Sequence, residues 1–121
     1  MQLVRCPRIT QVANWMVGMQ MDPAESLLNQ FRQHAVRRLG TDYFCRRTAL
    51  DIVARCEEMK LPILGIDGYF LTDTRTHQPI EWILDLSKSP LDYDAARQFI
   101  EASAALPLFY EFVLGTHEGN T

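Results

Sequence analysis

Between Pro62 and Ser87 the chain reads P-I-L-G-I-D-G-Y-F-L, then a polar connector T-D-T-R-T-H-Q-P, then I-E-W-I-L-D-L-S. Two apolar runs rich in β-branched and aromatic residues, split by a short polar loop, predict two strands over residues 63–72 and 80–87. Side chains alternate across a strand, so each run has two faces. In the second, Ile80, Trp82, Leu84 and Leu86 fall on one side, and Glu81, Ile83 and Asp85 on the other. The first set must face the core. Burying a Leu or Trp gains roughly 1.5–3 kcal/mol, and burying an unpaired carboxylate costs more.

The same argument turns Leu64, Ile66 and Phe70 inward and Gly65, Asp67, Tyr69 and Leu71 outward. A last strand is expected over residues 108–114, L-F-Y-E-F-V-L. There Leu108, Tyr110, Phe112 and Leu114 oppose Phe109, Glu111 and Val113. The outer sheet face would then carry Asp67, Tyr69, Glu81, Ile83, Asp85, Phe109, Glu111 and Val113. Two readings of it stand side by side. One is a solvated face with scattered apolar residues, or one covered by the N-terminal segment. The other is a protein-binding face, with aromatic anchors in a charged surround.

Helices are expected on both sides of this pair. Asp22, Pro23 and Glu25 form an N-cap, N1 and N3 signature. Leu27, Leu28, Phe31, Ala35 and Leu39 follow at helical spacing, with Gly40 as C′ residue, so a helix is predicted over residues 23–39. Thr48 and Asp51 start a second helix, with Ala49, Ile52, Val53, Cys56 and Met59 as its buried stripe and Pro62 ending it. Ser89, Pro90 and Asp92 repeat the cap signature for a third, with Tyr93, Ala96, Phe99, Ile100 and Ser103 on its inner side. An earlier strand is expected over residues 10–17. The order is β?-α-α-β-β-α-β: an α+β domain, mainly antiparallel, with helices packed on one face of the sheet.

The chain has 121 residues, which fits one domain, and its 47% apolar content is enough for a core. A formal net charge of -3 argues against a nucleic-acid binder held by phosphate contacts and permits a basic protein partner. No apolar run reaches the length of a membrane span, and no signal-peptide core follows the start, so a cytoplasmic location is expected. The cysteines Cys6, Cys45 and Cys56 are odd in number and widely spaced, which favours reduced thiols.

Candidate chemistry is sparse. His34, His77 and His117 lack zinc-like spacing to one another or to cysteine. His34 reads as a packed boundary residue; His77 and His117 read as solvated. Cys45-Arg46-Arg47-Thr48 is the sharpest local feature. A thiol before a helix N-terminus, beside two arginines, would have a lowered pKa, and the same groups could hold an anion. The competing reading is a buried Cys45 beside Phe44 with solvated arginines. No P-loop, nucleophile elbow or dinucleotide fingerprint is present, and no cofactor or metal is expected.

The segment A-L-D-I-V-A-R-C-E-E-M-K-L-P-I-L-G-I-D-G-Y-F-L, extended by W-I-L-D-L-S and D-Y-D-A-A-R, resembles the helix-then-strand core of bacterial polymorphic-toxin immunity proteins, nearest the immunity protein 40 family. Where this chain has Ile66 the family pattern has a second glycine, and where it has Ile83 the pattern has Tyr. The resemblance implies a non-enzymatic inhibitor that binds a cognate toxin domain. Such domains are often nucleases with basic surfaces. Asp67 and Trp82 are the positions that match. Together with the strand pattern this makes Asp67, Tyr69, Glu81, Asp85 and Glu111 the candidate toxin-binding residues. The alternatives are a thiol enzyme or anion-binding protein built on Cys45, Arg46 and Arg47, and a homodimeric regulatory subunit that uses the sheet face.

Overall fold

The computed structural model describes residues 22–115. The strand expected over residues 10–17 lies outside them. In chain order the elements are α1 (Pro23–Phe31), β1 (Val36–Arg38), β2 (Thr41–Cys45), α2 (Arg46–Met59), β3 (Ile63–Leu71), β4 (Thr76–His77), β5 (Ile83–Asp85), α3 (Tyr93–Ala102) and β6 (Leu108–Leu114). All described strand pairs are antiparallel, in the order β1-β2-β6-β3-β4, with β5 also on β3. This is the α+β architecture expected from the sequence.

The core lies between the sheet and the helices. Leu27 of α1, Ala49, Ile52, Val53 and Cys56 of α2, and Ala96 and Ile100 of α3 meet Phe44, Ile66, Leu108, Tyr110 and Phe112 of the sheet. Each residue is on the face its period predicts, 3.6 for the helices and two for the strands. Tyr110 is fully buried, and its hydroxyl is hydrogen-bonded to Ser103 Oγ. The one polar member of the α3 stripe is therefore there to satisfy a buried phenol. Tyr93 likewise donates to the Leu61 carbonyl at 2.7 Å.

Three expected elements come out differently. The first helix stops at Phe31 and is followed by a 3-10 turn, Arg32–His34, and by β1. Ala35 and Leu39 keep helical spacing, but Val36 through Cys45 form a hairpin closed by Leu39 and Gly40, with φ of 50° and 83°. Two successive positive φ values make a type I′ turn, whose twist matches paired strands. Asp42 then joins helix end to hairpin, accepting from Arg32 at 3.0 Å and Arg37 at 2.9 Å. The connector before α2 is thus strand, with Cys45 as the α2 N-cap.

The strand expected over residues 80–87 is confined to Ile83–Asp85, after a 3-10 turn at Ile80–Trp82. Gly68 explains the turn. A Cβ there would lie 3.1 Å from both Trp82 Cβ and Leu108 Cδ1, so the Trp82 backbone and Cβ sit close against β3 at this point. Trp82 packs edge-on to Phe99 with centroids 5.9 Å apart. Ile80, expected in the core, is 85% exposed. The third helix starts at Tyr93, with Asp92 as N-cap accepting from Ala95 N at 3.0 Å. Pro90 precedes it because its carbonyl accepts from Ile63 N at 2.8 Å and ties the turn to β3.

The sheet curls until its ends touch. β2 pairs with β6 only through Phe44↔Tyr110 and Cys45↔Phe109. Beyond that point the β1–β2 hairpin reaches the far edge, where Arg38 donates to the Arg75 carbonyl at 2.8 Å and to the Thr72 carbonyl. Val36 and Tyr43 of the hairpin pack with Tyr69, Leu71 and Phe109 in a second, smaller cluster on the outer face.

Leu39 holds the left-handed conformation while fully exposed. That conformation costs a non-glycine residue about 1–2 kcal/mol, and Asn-Gly is the preferred type I′ pair. Leu39→Asn should therefore stabilise the domain by about 1 kcal/mol, raising Tm by roughly 4 °C. Thermal denaturation of the two proteins checks this; an unchanged or lower Tm would sink it.

Candidate functional site

The register of β3 fixes what the outer face presents. Asp67 is opposite Ile83 on one side and Glu111 on the other; Gly65 is opposite Asp85 and Val113. The next row pairs Tyr69 with Phe109. Three strands therefore bring Asp67, Asp85 and Glu111 onto one patch with Ile83 and Val113, which are 47% and 48% exposed. Glu81, from the 3-10 turn, is exposed near the same edge. It reaches the surface from a turn rather than from a strand position.

Carboxylates directly opposite on neighbouring strands repel. Asp67 and Glu111 are held in that arrangement by separate partners. Tyr69 donates its hydroxyl to Glu111 Oε1 at 3.0 Å. Gln78 hydrogen-bonds the Asp67 carboxylate, although burial prevails and pushes that carboxyl above its ordinary value. Burial, followed by the bond to Glu111 and the nearby charges, raises the Tyr69 phenol. Asp85 is fully solvated; the Ser87 N–H, 2.9 Å from its Oδ1, holds its carboxyl below the usual range. The described ion pairs involve Asp42, Glu57, Glu58, Asp94 and Glu101, so none of Asp67, Glu81, Asp85 and Glu111 has a cation within salt-bridge distance among the described residues.

The aromatic part of the expected face is largely covered. Phe109 is 3% exposed, and Tyr69 meets the Tyr43 ring edge-on with centroids 5.0 Å apart. Phe109 is already buried within one chain, so it is not available to a homodimer contact. What remains open is the acidic and aliphatic end of the face. Strand alternation located this end; the hairpin that covers the other end arises from a turn that the sequence pattern hid inside a helix.

The Cys45 region does not offer the free thiol of the alternative reading. Cys45 is 5% exposed and disulfide-bonded, which corrects the expectation of reduced thiols at this position. Arg46 is engaged with Glu101 at 3.0 Å, and Arg47 is exposed. Cys56 is free but fully buried, and burial pushes its thiol up to about 12, which leaves it inert as a nucleophile. His34 is buried as a packed residue, with Nδ1 lacking a hydrogen-bond partner. Among the described residues no group of three or more His, Cys, Asp or Glu could hold a metal ion. No helix among them is long and apolar enough to cross a membrane.

Comparison of the chain with family models, with curated proteins and with solved structures gave no match.

Because the folded state raises the Asp67 pKa, it binds that proton more tightly than the unfolded chain does. Stability then falls as pH rises through the interval between the two pKa values. Ionised Asp67 is thus a cost at neutral pH that disappears in acid. Asp67→Asn should raise Tm at pH 7, and the gain should shrink as pH falls through the interval from the raised folded pKa to the ordinary carboxylate value. Paired thermal melts across pH test this; a lower Tm for the variant at pH 7 would refute it.

Proposed function

We propose that this chain is a protein-binding inhibitor, an immunity protein that neutralises a toxin domain by one-to-one, non-covalent occlusion. The observation that carries this reading is the exposed end of the outer face. Three carboxylates without cation partners among the described residues, Asp67, Asp85 and Glu111, adjoin two half-exposed aliphatic side chains, and Glu81 is exposed in the turn that leads into them. Uncompensated negative charge draws in a basic partner and speeds its association. The aliphatic residues supply area that only a partner would dehydrate. The resemblance of residues 49–87 to immunity proteins points the same way, and toxin domains with nuclease activity carry the basic surface this face would meet.

Asp67 and Glu111 lie at the centre of the proposed contact, with Tyr69 orienting Glu111. Glu81 and Asp85 form its exposed rim. Rim charges act chiefly on association rate and salt dependence, and central, partly desolvated ones on dissociation.

The test is co-expression of the toxin domain encoded beside this gene, with and without this chain, followed by purification of the complex. Rescue of growth with a co-purifying complex is expected. Charge reversal at Glu81 and Asp85 together should weaken binding by about tenfold at low salt, with most of the loss in association rate. Failure to rescue cells from an active toxin would reject the pairing. Unchanged affinity in the double variant would move the interface elsewhere.

A further inference from the structure

An acidic sheet face alone is a solvated surface. What distinguishes this one is a missing side chain at its centre. The register lays out two adjoining rows of outward positions: Ile83–Asp67–Glu111 and, beside it, Asp85–Gly65–Val113. Gly65 is the middle of the second row, so the face has a notch there. Asp85 and Val113 are its side walls, Asp67 closes one end, and Ile83 and Glu111 stand at the corners. The notch is built in, because a Cβ at Gly65 would lie 3.1 Å from the Leu84 carbonyl oxygen, a backbone atom that has little room to give.

We propose that this notch is the seat of a single arginine side chain of a protein partner, lying with its aliphatic stem over Gly65 between Val113 and Ile83 and its guanidinium against Asp67 and Glu111. The inference rests on the protein-binding reading above and names the chemistry that the face selects. Long cationic side chains cover apolar surface with their stems while the charged head stays with polar partners. Outward side chains at directly opposed positions have Cβ atoms roughly 4.5–5.5 Å apart, so Asp67 and Glu111 present two carboxylates side by side. A planar guanidinium fork can bridge such a pair; an ammonium is a point charge and engages it less completely. Tyr69 holds the Glu111 acceptor in place beforehand.

The experiment is a two-dimensional NMR titration of the whole chain with a hexa-arginine peptide, with hexa-lysine and a Gly-Ser peptide as controls. The expected result is a set of amide shifts centred on Gly65, Asp67 and Val113, tighter for arginine than for lysine and absent for Gly-Ser. Asp67→Asn keeps the shape of the side chain and removes its charge. It should weaken the arginine peptide by about fivefold, as expected for loss of one partner of a close charge pair. Val113→Ser should weaken arginine without altering the salt dependence. Shifts spread evenly over every acidic residue, or an unchanged affinity in Asp67→Asn, would overturn the notch. The two readings fail separately. Arginine binding at Gly65 without rescue from the toxin retains the notch and removes the immunity role; rescue without arginine binding does the reverse.

Discussion

The pairing of β3 with β6 is the constraint on which the other elements depend. It runs from Ile63↔Leu114 to Phe70↔Leu108, with an irregularity between Ile63 and Gly65. Both strands alternate strictly over most of this length, so one register decides two surfaces together. Slipping it by one residue would turn Tyr110 and Phe112 to the outside and bring Glu111 under α2 and α3, an exchange no packing could offset. β3 also bonds β4 and β5 along its other edge, so the central strand carries pairings on both sides. Gly68 admits Trp82 and Leu108 against that strand, and Gly65 admits the Leu84 carbonyl.

From this ladder follows the unequal treatment of the outer face. At one end the β1–β2 hairpin folds across it, because Val36 and Tyr43 gain burial against Tyr69, Leu71 and Phe109, and because Arg38 finds backbone acceptors beyond Leu71. At the other end no described element follows, and Ile83, Asp85 and Val113 stay exposed. Tyr69 stands at the boundary. Its ring belongs to the covered cluster while its hydroxyl reaches Glu111 in the open one. The covered end therefore orients a carboxylate that the open end presents.

The strand faces were legible because period two is unambiguous once one face must be dry. The outward positions of Asp67, Tyr69, Ile83, Asp85, Phe109, Glu111 and Val113 follow from the sequence, whereas Leu64, expected inward, gives the core position to Ile63 at the irregularity between Ile63 and Gly65. The β1–β2 hairpin was not legible, since Ala35 and Leu39 extend a helical spacing that begins at Leu27, and Leu39-Gly40 lacks the Asn or Asp that usually announces a type I′ turn. Tertiary burial of Tyr43, together with Asp42 held between Arg32 and Arg37, prevails over that local pattern. Ile80 fails for a different reason. Alternation put it on the side of Trp82, but the Trp82 backbone and Cβ sit close against Gly68, and the 3-10 turn there breaks the period before Ile83. The notch at Gly65 requires knowing that Asp85 and Val113 flank it, and register between distant strands is not written in any single segment.

A stable domain of this size does not need Asp67 opposite Glu111. A threonine or lysine at either position would suit the outward side of a strand and remove a repulsion. Nor does it need Ile83 and Val113 in water beside them. Each of these features works against the isolated fold, and all of them lie in two adjoining rows of one sheet face. Elsewhere on the described surface some acids are matched, with Glu57 and Asp94 sharing Arg97, Glu58 meeting Arg55 and Glu101 meeting Arg46, while the exposed Asp22, Glu25, Asp51, Asp73 and Asp92 have no ion pair among the described residues. In the proposed reading, the carboxylates and half-exposed aliphatic side chains around Gly65 on the central strand are what a complementary cation and its apolar stem would dock against.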